Sequence, residues 1–105
     1  MKFIKVQVNV PHESLEKIRE AVKSYIVKSD KYMGAMTWWP VKGAWTTLSG
    51  ANPYNGKPGI ETIADEVILE FRIVEADKDK VVTVIKENHP YEECVISLIP
   101  MLEVD

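Results

Sequence analysis

The spacing of hydrophobic residues changes period along the first quarter of the chain. Residues 2–10 place an apolar side chain at every second position, and this period of two predicts a strand with one buried face. Pro11 ends the alternation. The apolar residues that follow are spaced as on one side of a helix, so we expect a helix over residues 12–27.

The middle of the chain has the pattern of a long hairpin. Residues 32–49 are rich in aromatic residues and threonine, which favours a strand, but glycine and proline interrupt them and predict a bent, bulged or edge strand. Residues 50–59 are dense in turn signals. A second alternating strand follows, and its parity places Glu66 and Glu70 on the face that we expect to meet solvent.

The last third predicts one more helix and one more strand. The helix covers residues 78–88 and stops before Pro90, because proline disfavours helical geometry at the residue before it. Residues 94–102 are almost continuously apolar, which is typical of a central or doubly covered strand. The order βαββαβ predicts an α+β, ferredoxin-like sandwich with four antiparallel strands and two helices on one face. The other face is left bare, so we expect a second copy of the chain to cover it.

Composition narrows the class of protein. The 105 residues predict a single domain over positions 1–105. A net charge of −3 leaves no electrostatic footprint for nucleic acid, and no apolar run approaches the length of a membrane span. The lone Cys94 cannot form an internal disulfide, which indicates a reducing, cytoplasmic environment.

The densest cluster of metal-ligand atoms lies just before the last strand. It combines imidazole, carboxylate and thiol groups within six residues, and these suit a divalent or soft transition metal ion, the one cofactor that the sequence suggests. The candidate ligands are His89, Glu92, Glu93 and Cys94. The alternative is a helix stop, in which His89 meets the last helical carbonyls and the carboxylates are solvated.

The other candidate chemistry is weaker. Residues 50–59 could hold an anion through backbone N–H groups with help from Lys57. A planar ligand could stack on Trp45 or on the pair Trp38 and Trp39. The two members of that pair are neighbours in a strand and point to opposite faces, which favours packing or subunit contact. Cys94 beside an apolar strand is expected to be an inert thiol, and no other nucleophile has a suitable partner. We therefore expect no enzyme.

Several short motifs, in this order, resemble those of a known family. They are Val10-Pro11, Gly43-Ala44-Trp45, Gly50-Ala51-Asn52-Pro53, the acidic strand 61–70 and His89-Pro90-Tyr91-Glu92-Glu93. The chain resembles the PII/CutA-like superfamily over nearly its whole length. It is more closely similar to the YqfO-type module, which is found inserted in NGG-one-interacting-factor (Nif-three) like proteins and also free-standing. The chain departs from that module after its first helix, where a glycine-rich turn is replaced by a segment without glycine before Gly34.

The resemblance implies a ferredoxin-like fold and a trimer packed around a three-fold axis. It places the central hairpin where PII proteins have their signalling loop, and it implicates His89 in metal binding. The resulting expectation is a non-enzymatic oligomer that binds a small ligand or divalent metal ion in regulation or ion homeostasis. One alternative is a metabolite- or nucleotide-sensing module that signals to a protein partner through the loop residues Asn52, Tyr54, Asn55 and Lys57. The other is a purely structural oligomerisation module.

Overall fold

A computed structural model describes residues 2–102 and 104, and its element order is the one predicted. The strands and helices are β1 (Phe3–Pro11), α1 (Leu15–Val22), β2 (Met36–Thr46), β3 (Glu61–Val74), α2 (Lys78–Asn88) and β4 (Ile96–Pro100). Short 3-10 turns flank α1 on both sides, so the predicted helix is real but only its central eight residues are α-helical. The bounds of α2 agree with the prediction.

The sheet has the strand order β2-β3-β1-β4, and all of its neighbours pair antiparallel. The alternating residues of β1 and β3 bury one face of the sheet against the two helices, which contribute Ile18, Val22, Val81 and Ile85 to the core. This arrangement confirms the ferredoxin-like α+β prediction. Within the described residues, no helix is long and apolar enough to cross a membrane.

The last strand corrects one expectation. In the described part of the chain, β4 pairs with β1 alone and forms an edge of the sheet, not its centre. Apart from Ser97, its side chains are apolar on both faces, and Leu98 and Ile99 remain 39% and 38% exposed. An apolar edge strand of this kind is a surface on which another chain can pack.

The hairpin of β2 and β3 extends beyond the rest of the sheet. β1 pairs with residues 66–74 of β3, whereas residues 61–65 have β2 as their one partner strand among the described residues. This extension makes the molecule elongated, with a long dimension of 49 Å against 22 Å in the other two directions. It also explains why Ile63 is exposed, although it shares the parity of the buried residues of β3. The tip loop (residues 48–60) connects the two strands at this end.

Candidate functional site

A cavity of about 700 Å³ lies where several parts of the chain meet. Its wall includes residues of β2, of the tip loop and of the Tyr91 turn, which we define as residues 89–93, together with Asn9 of β1 and Glu66 of β3. Three aromatic side chains line it, Trp45, Tyr54 and Tyr91, and Glu66 lies among the polar residues of its wall. We call it the aromatic cavity.

Glu66 is the most unusual group in the aromatic cavity because it is only 3% exposed. The Tyr91 hydroxyl donates to its Oε2 at 2.5 Å, and the side-chain amide of Asn9 lies 3.4 Å from its Oε1. Among the described residues that line the cavity there is no lysine, arginine or histidine. The buried carboxylate therefore has neutral hydrogen-bond donors but no cationic partner in the cavity wall.

Gly43 makes room for this carboxylate. A Cβ atom at position 43 would overlap Glu66 Oε1 and would lie 2.9 Å from Glu66 Cδ. Any other residue at this point of β2 would force the Glu66 side chain to move. The glycine that interrupts the strand pattern is thus explained by a close side-chain approach across the sheet.

The three aromatic rings contact each other around Tyr91. The ring centroid of Tyr91 is 5.8 Å from that of Trp45 and 5.8 Å from that of Tyr54, with interplanar angles of 55° and 48°. The hydroxyl of Tyr54 donates to Glu13 Oε1 at 2.6 Å, which ties the tip loop to the turn before α1. Burial and the hydrogen bond to Glu66 raise the pKa of Tyr91, so its phenol stays protonated and acts as a donor.

His89 fastens the Tyr91 turn to β1. Its Nδ1 accepts a hydrogen bond from the backbone N–H of Tyr91 at 3.1 Å, so the proton of the neutral ring belongs on Nε2, which donates to the Asn9 carbonyl at 2.7 Å. Burial lowers the pKa of the His89 imidazole and favours this neutral form. Both ring nitrogens are therefore used in holding the backbone.

The other three predicted metal ligands make different contacts, although Glu92 and Glu93 both line the aromatic cavity. The carboxylate of Glu92 accepts the backbone N–H of Asn52 at 3.1 and 3.3 Å. Glu93 is exposed and lines the aromatic cavity. Cys94 packs against the hydrophobic core, and burial raises the pKa of its thiol. No group of three or more His, Cys, Asp or Glu side chains in the described part of the chain is arranged to hold a metal ion. Two of the four predicted ligands, Glu92 and Glu93, share a cavity wall, and a metal site at His89, Glu92, Glu93 and Cys94 stays a prediction.

The four predicted loop residues do not all lie at the aromatic cavity. Tyr54 and Asn55 line the aromatic cavity. Asn52 contacts the Tyr91 turn through its backbone N–H. Lys57 is exposed and is not part of the cavity wall, so the loop does not bring a cation to this site. The tip loop as a candidate signalling element stays a prediction.

Two of the three tryptophans lie elsewhere. Trp38 is opposite Leu69 and Trp39 opposite Ile68 in the register of β2 and β3, so they point to opposite faces, as expected. The guanidinium carbon of Arg19 lies 4.5 Å from the Trp38 ring centroid. Trp45 is the tryptophan of the cavity.

The pattern of alternation missed Glu66 and Asn9 as site residues. Both lie on the face of the sheet opposite the helices, and this parity predicts solvent exposure. The local signal that points to a buried side chain is Gly43, an isolated glycine within a strand, which indicates a close approach by another group. It does not say which group approaches.

Comparisons with known proteins agree with this fold. No protein-family model matches the chain. Two curated relatives, from Halalkalibacterium halodurans and Staphylococcus epidermidis, are both named GTP cyclohydrolase 1 type 2 homolog and are 30% and 29% identical over 105 and 100 residues. The alignments cover 92% and 94% of this chain but 26% and 27% of those proteins. The chain thus spans about a quarter of the length of these relatives.

Solved structures of other proteins share the fold of this chain. A Bacillus cereus protein related to NIF3 matches with a TM-score of 0.80 at 24% identity, over 95% of this chain and 26% of that one. CutA1 from Oryza sativa matches with a TM-score of 0.73 at 17% identity, over 100% and 84% of the two chains. B. subtilis GlnK matches with a TM-score of 0.65 at 15% identity, over 96% and 86%. The chain therefore has the PII/CutA-like fold, and its predicted resemblance to a segment of NIF3-related proteins is confirmed.

Proposed function

We propose that this chain is a non-enzymatic, homo-oligomeric PII/CutA-like module that binds a small ligand in the aromatic cavity and signals its presence through the tip loop. The observation that carries the proposal is the buried Glu66 carboxylate in the wall of a cavity of about 700 Å³. Small-molecule sites in proteins typically occupy about 300–1,000 Å³ and combine apolar walls with a few placed polar groups.

The position of the tip loop supports a signalling role. Tyr54 and Asn55 of this loop line the aromatic cavity, and hydrogen bonds to Glu13 and Glu92 hold the loop in place. A ligand in the cavity would contact residues of both the loop and the rigid sheet. Binding would therefore change the freedom of the loop, which a protein partner could recognise.

The edge strand β4 supports self-association. Leu98 and Ile99 are partly exposed, and Val95 just before the strand is exposed as well. Covering these side chains with another copy of the chain would remove apolar surface from water. The resemblance to PII/CutA-like proteins implies a trimer, and the lone Cys94 fits a cytoplasmic location.

Two groups that could take part in nucleophilic catalysis, Cys94 and His89, are unfavourably placed for it. The raised pKa of Cys94 favours the unreactive thiol. The ring nitrogens of His89 are both engaged with backbone groups, so His89 is poorly placed to act as a base or as a metal ligand. These contacts favour a binding module over an enzyme, and a small organic ligand over a metal ion.

Native mass spectrometry of protein purified without chelators is the direct test. We expect the mass of an oligomer, and any excess over the chain masses identifies a retained ligand. Isothermal titration with metabolites should then show binding that Trp45→Ala removes and Trp39→Ala preserves, because Trp39 lies on the same strand outside the cavity. A monomer would refute the oligomer, and equal binding by both variants would refute the site. A mass excess equal to a metal ion, lost in His89→Ala, would favour the metal ion instead.

A further inference from the structure

We propose that the ligand of the aromatic cavity is a small organic cation, carrying an alkylammonium or guanidinium group that pairs with Glu66. This inference rests on the proposed function and specifies the chemical class of its ligand. It follows from the charges, the rings and the unused polar groups of the cavity wall.

The charge of the cavity wall favours a cationic ligand. Glu66, Glu92 and Glu93 are the charged residues that line the cavity in the described part of the chain. A phosphate or carboxylate ligand would meet like charge at each of them. A cation would meet attraction, and the attraction would be strongest at Glu66, because buried charges are weakly screened by water.

Glu66 has no cationic partner in the described part of the cavity wall. Buried carboxylates are ordinarily paired with a cation or a metal ion. Glu66 is held by Tyr91 and Asn9, which donate hydrogen bonds without neutralising its charge. A carboxylate offers about four acceptor positions, so this side chain retains acceptor capacity for the N–H groups of a ligand.

The arrangement of the aromatic rings in the cavity also favours a cation. Trp45, Tyr91 and Tyr54 contact each other at tilted angles and line the same cavity as Glu66. The faces of such rings attract cations that lie within about 6 Å of the ring centroid, and tryptophan attracts them most strongly. Several rings beside a carboxylate are a general solution for binding an ammonium group.

The wall also contains an unused hydroxyl group. Thr47 lines the cavity, is 5% exposed, and its Oγ1 has no hydrogen-bond partner among the described residues. A buried hydroxyl without a partner is unfavourable. A ligand with several N–H donors could supply the partner that this hydroxyl oxygen lacks.

The test compares ligands that differ in charge but not in shape. Choline is titrated against its neutral isostere 3,3-dimethylbutan-1-ol, and methylguanidinium against N-methylurea, with ATP as the anionic probe. We expect at least one cation of the two pairs to bind at least about tenfold more tightly than its isostere. Glu66→Gln keeps the size of the side chain and should remove this preference. Glu70→Gln is the matched control, since Glu70 lies on the same strand and face but outside the cavity, beside Lys5 and Gln7.

Tyr54→Leu provides a second variant if Glu66→Gln does not fold, because Tyr54 is half exposed in the tip loop. We expect it to weaken cation binding several-fold and to leave the circular dichroism spectrum unchanged. Equal affinity for the cation and its isostere would refute a cationic ligand. Tight ATP binding that Trp45→Ala removes would also refute it, and both results would leave the proposed ligand site intact. Failure of all probes, together with a ligand-free native mass, would overturn both.

Discussion

Replacing Gly43 by alanine tests the packing on which the candidate site depends. The new Cβ would occupy the position of the Glu66 carboxylate, and the side chain would have to leave its place. The hydrogen bond from the Tyr91 hydroxyl would then be lost. Hydrogen bonds to charged groups contribute about 1.5–3 kcal/mol, whereas exchanging glycine for alanine within a strand returns about 0.5–1 kcal/mol. We therefore expect a net loss of about 1–2 kcal/mol in the free energy of unfolding.

The matched control is Gly50→Ala. A Cβ atom at Gly50 would meet no atom within 4 Å, so this variant should be neutral or more stable by about 0.4–1 kcal/mol. The assay is urea unfolding followed by tryptophan fluorescence at one fixed protein concentration, because self-association would make stability depend on concentration.

A double-mutant cycle identifies the cause. In a Glu66→Ala background the added methyl group has space, so Gly43→Ala should cost nothing, and the coupling free energy should reach about 1 kcal/mol or more. If Gly43→Ala lowers the free energy of unfolding equally in both backgrounds, the close approach of Glu66 is refuted. It is also refuted if Gly43→Ala lowers the free energy of unfolding no more than Gly50→Ala does.

Three further predictions concern the remaining elements. Because burial lowers the pKa of His89 below 6.5, the unfolded chain binds more protons below that pH, so stability should be full above about pH 6.5 and fall as the pH decreases through the folded pKa. Urea unfolding at about pH 7.5 and 5.5 should show a smaller loss of stability at the lower pH in His89→Gln than in the unsubstituted protein, and equal losses in the two proteins would contradict this role. Cys94 should react with iodoacetamide at least about tenfold more slowly in the folded than in the urea-unfolded protein, and equal rates would show an accessible thiolate. Ile99→Lys should reduce the mass found by sedimentation equilibrium, whereas Thr83→Lys on the exposed side of α2 should not; an unchanged mass in Ile99→Lys would exclude β4 from the interface.

Local periodicity was sufficient to predict most of the fold. The alternation of β1 and the helical spacing of α2 each indicate one apolar face. Short strands and helices are stable only when such a face is buried, so the pattern predicts the element. The first helix shows the limit of this reasoning, since the same spacing is met by an α-helix from Leu15 to Val22 with 3-10 turns around it. The backbone type at a helix end depends on a few hydrogen bonds that periodicity does not report.

Sheet order and side-chain approach depend on contacts between distant segments. The apolar run of β4 predicts cover on both faces, but its place at the edge follows from its pairing with β1. The burial of Glu66 also depends on a distant residue. Its position in the alternation of β3 predicts solvent exposure, but Tyr91, 25 positions further along the chain, contacts its carboxylate. Neither contact has a local signature in the strand concerned.

The His-Pro-Tyr-Glu sequence before β4 shows why a motif can be found before its role is known. Its imidazole suggests a metal ligand, yet both nitrogens of His89 bind the backbone, and this fixes the position of Tyr91. Tyr91 in turn holds Glu66, and Glu92 holds the tip loop through Asn52. His89, Tyr91 and Glu92 thus each make a contact that helps to shape the aromatic cavity. Removing His89 should therefore impair ligand binding indirectly, through the position of Tyr91. For this reason loss of binding in a His89 variant does not by itself identify a metal ligand, whereas the mass of the retained ligand does.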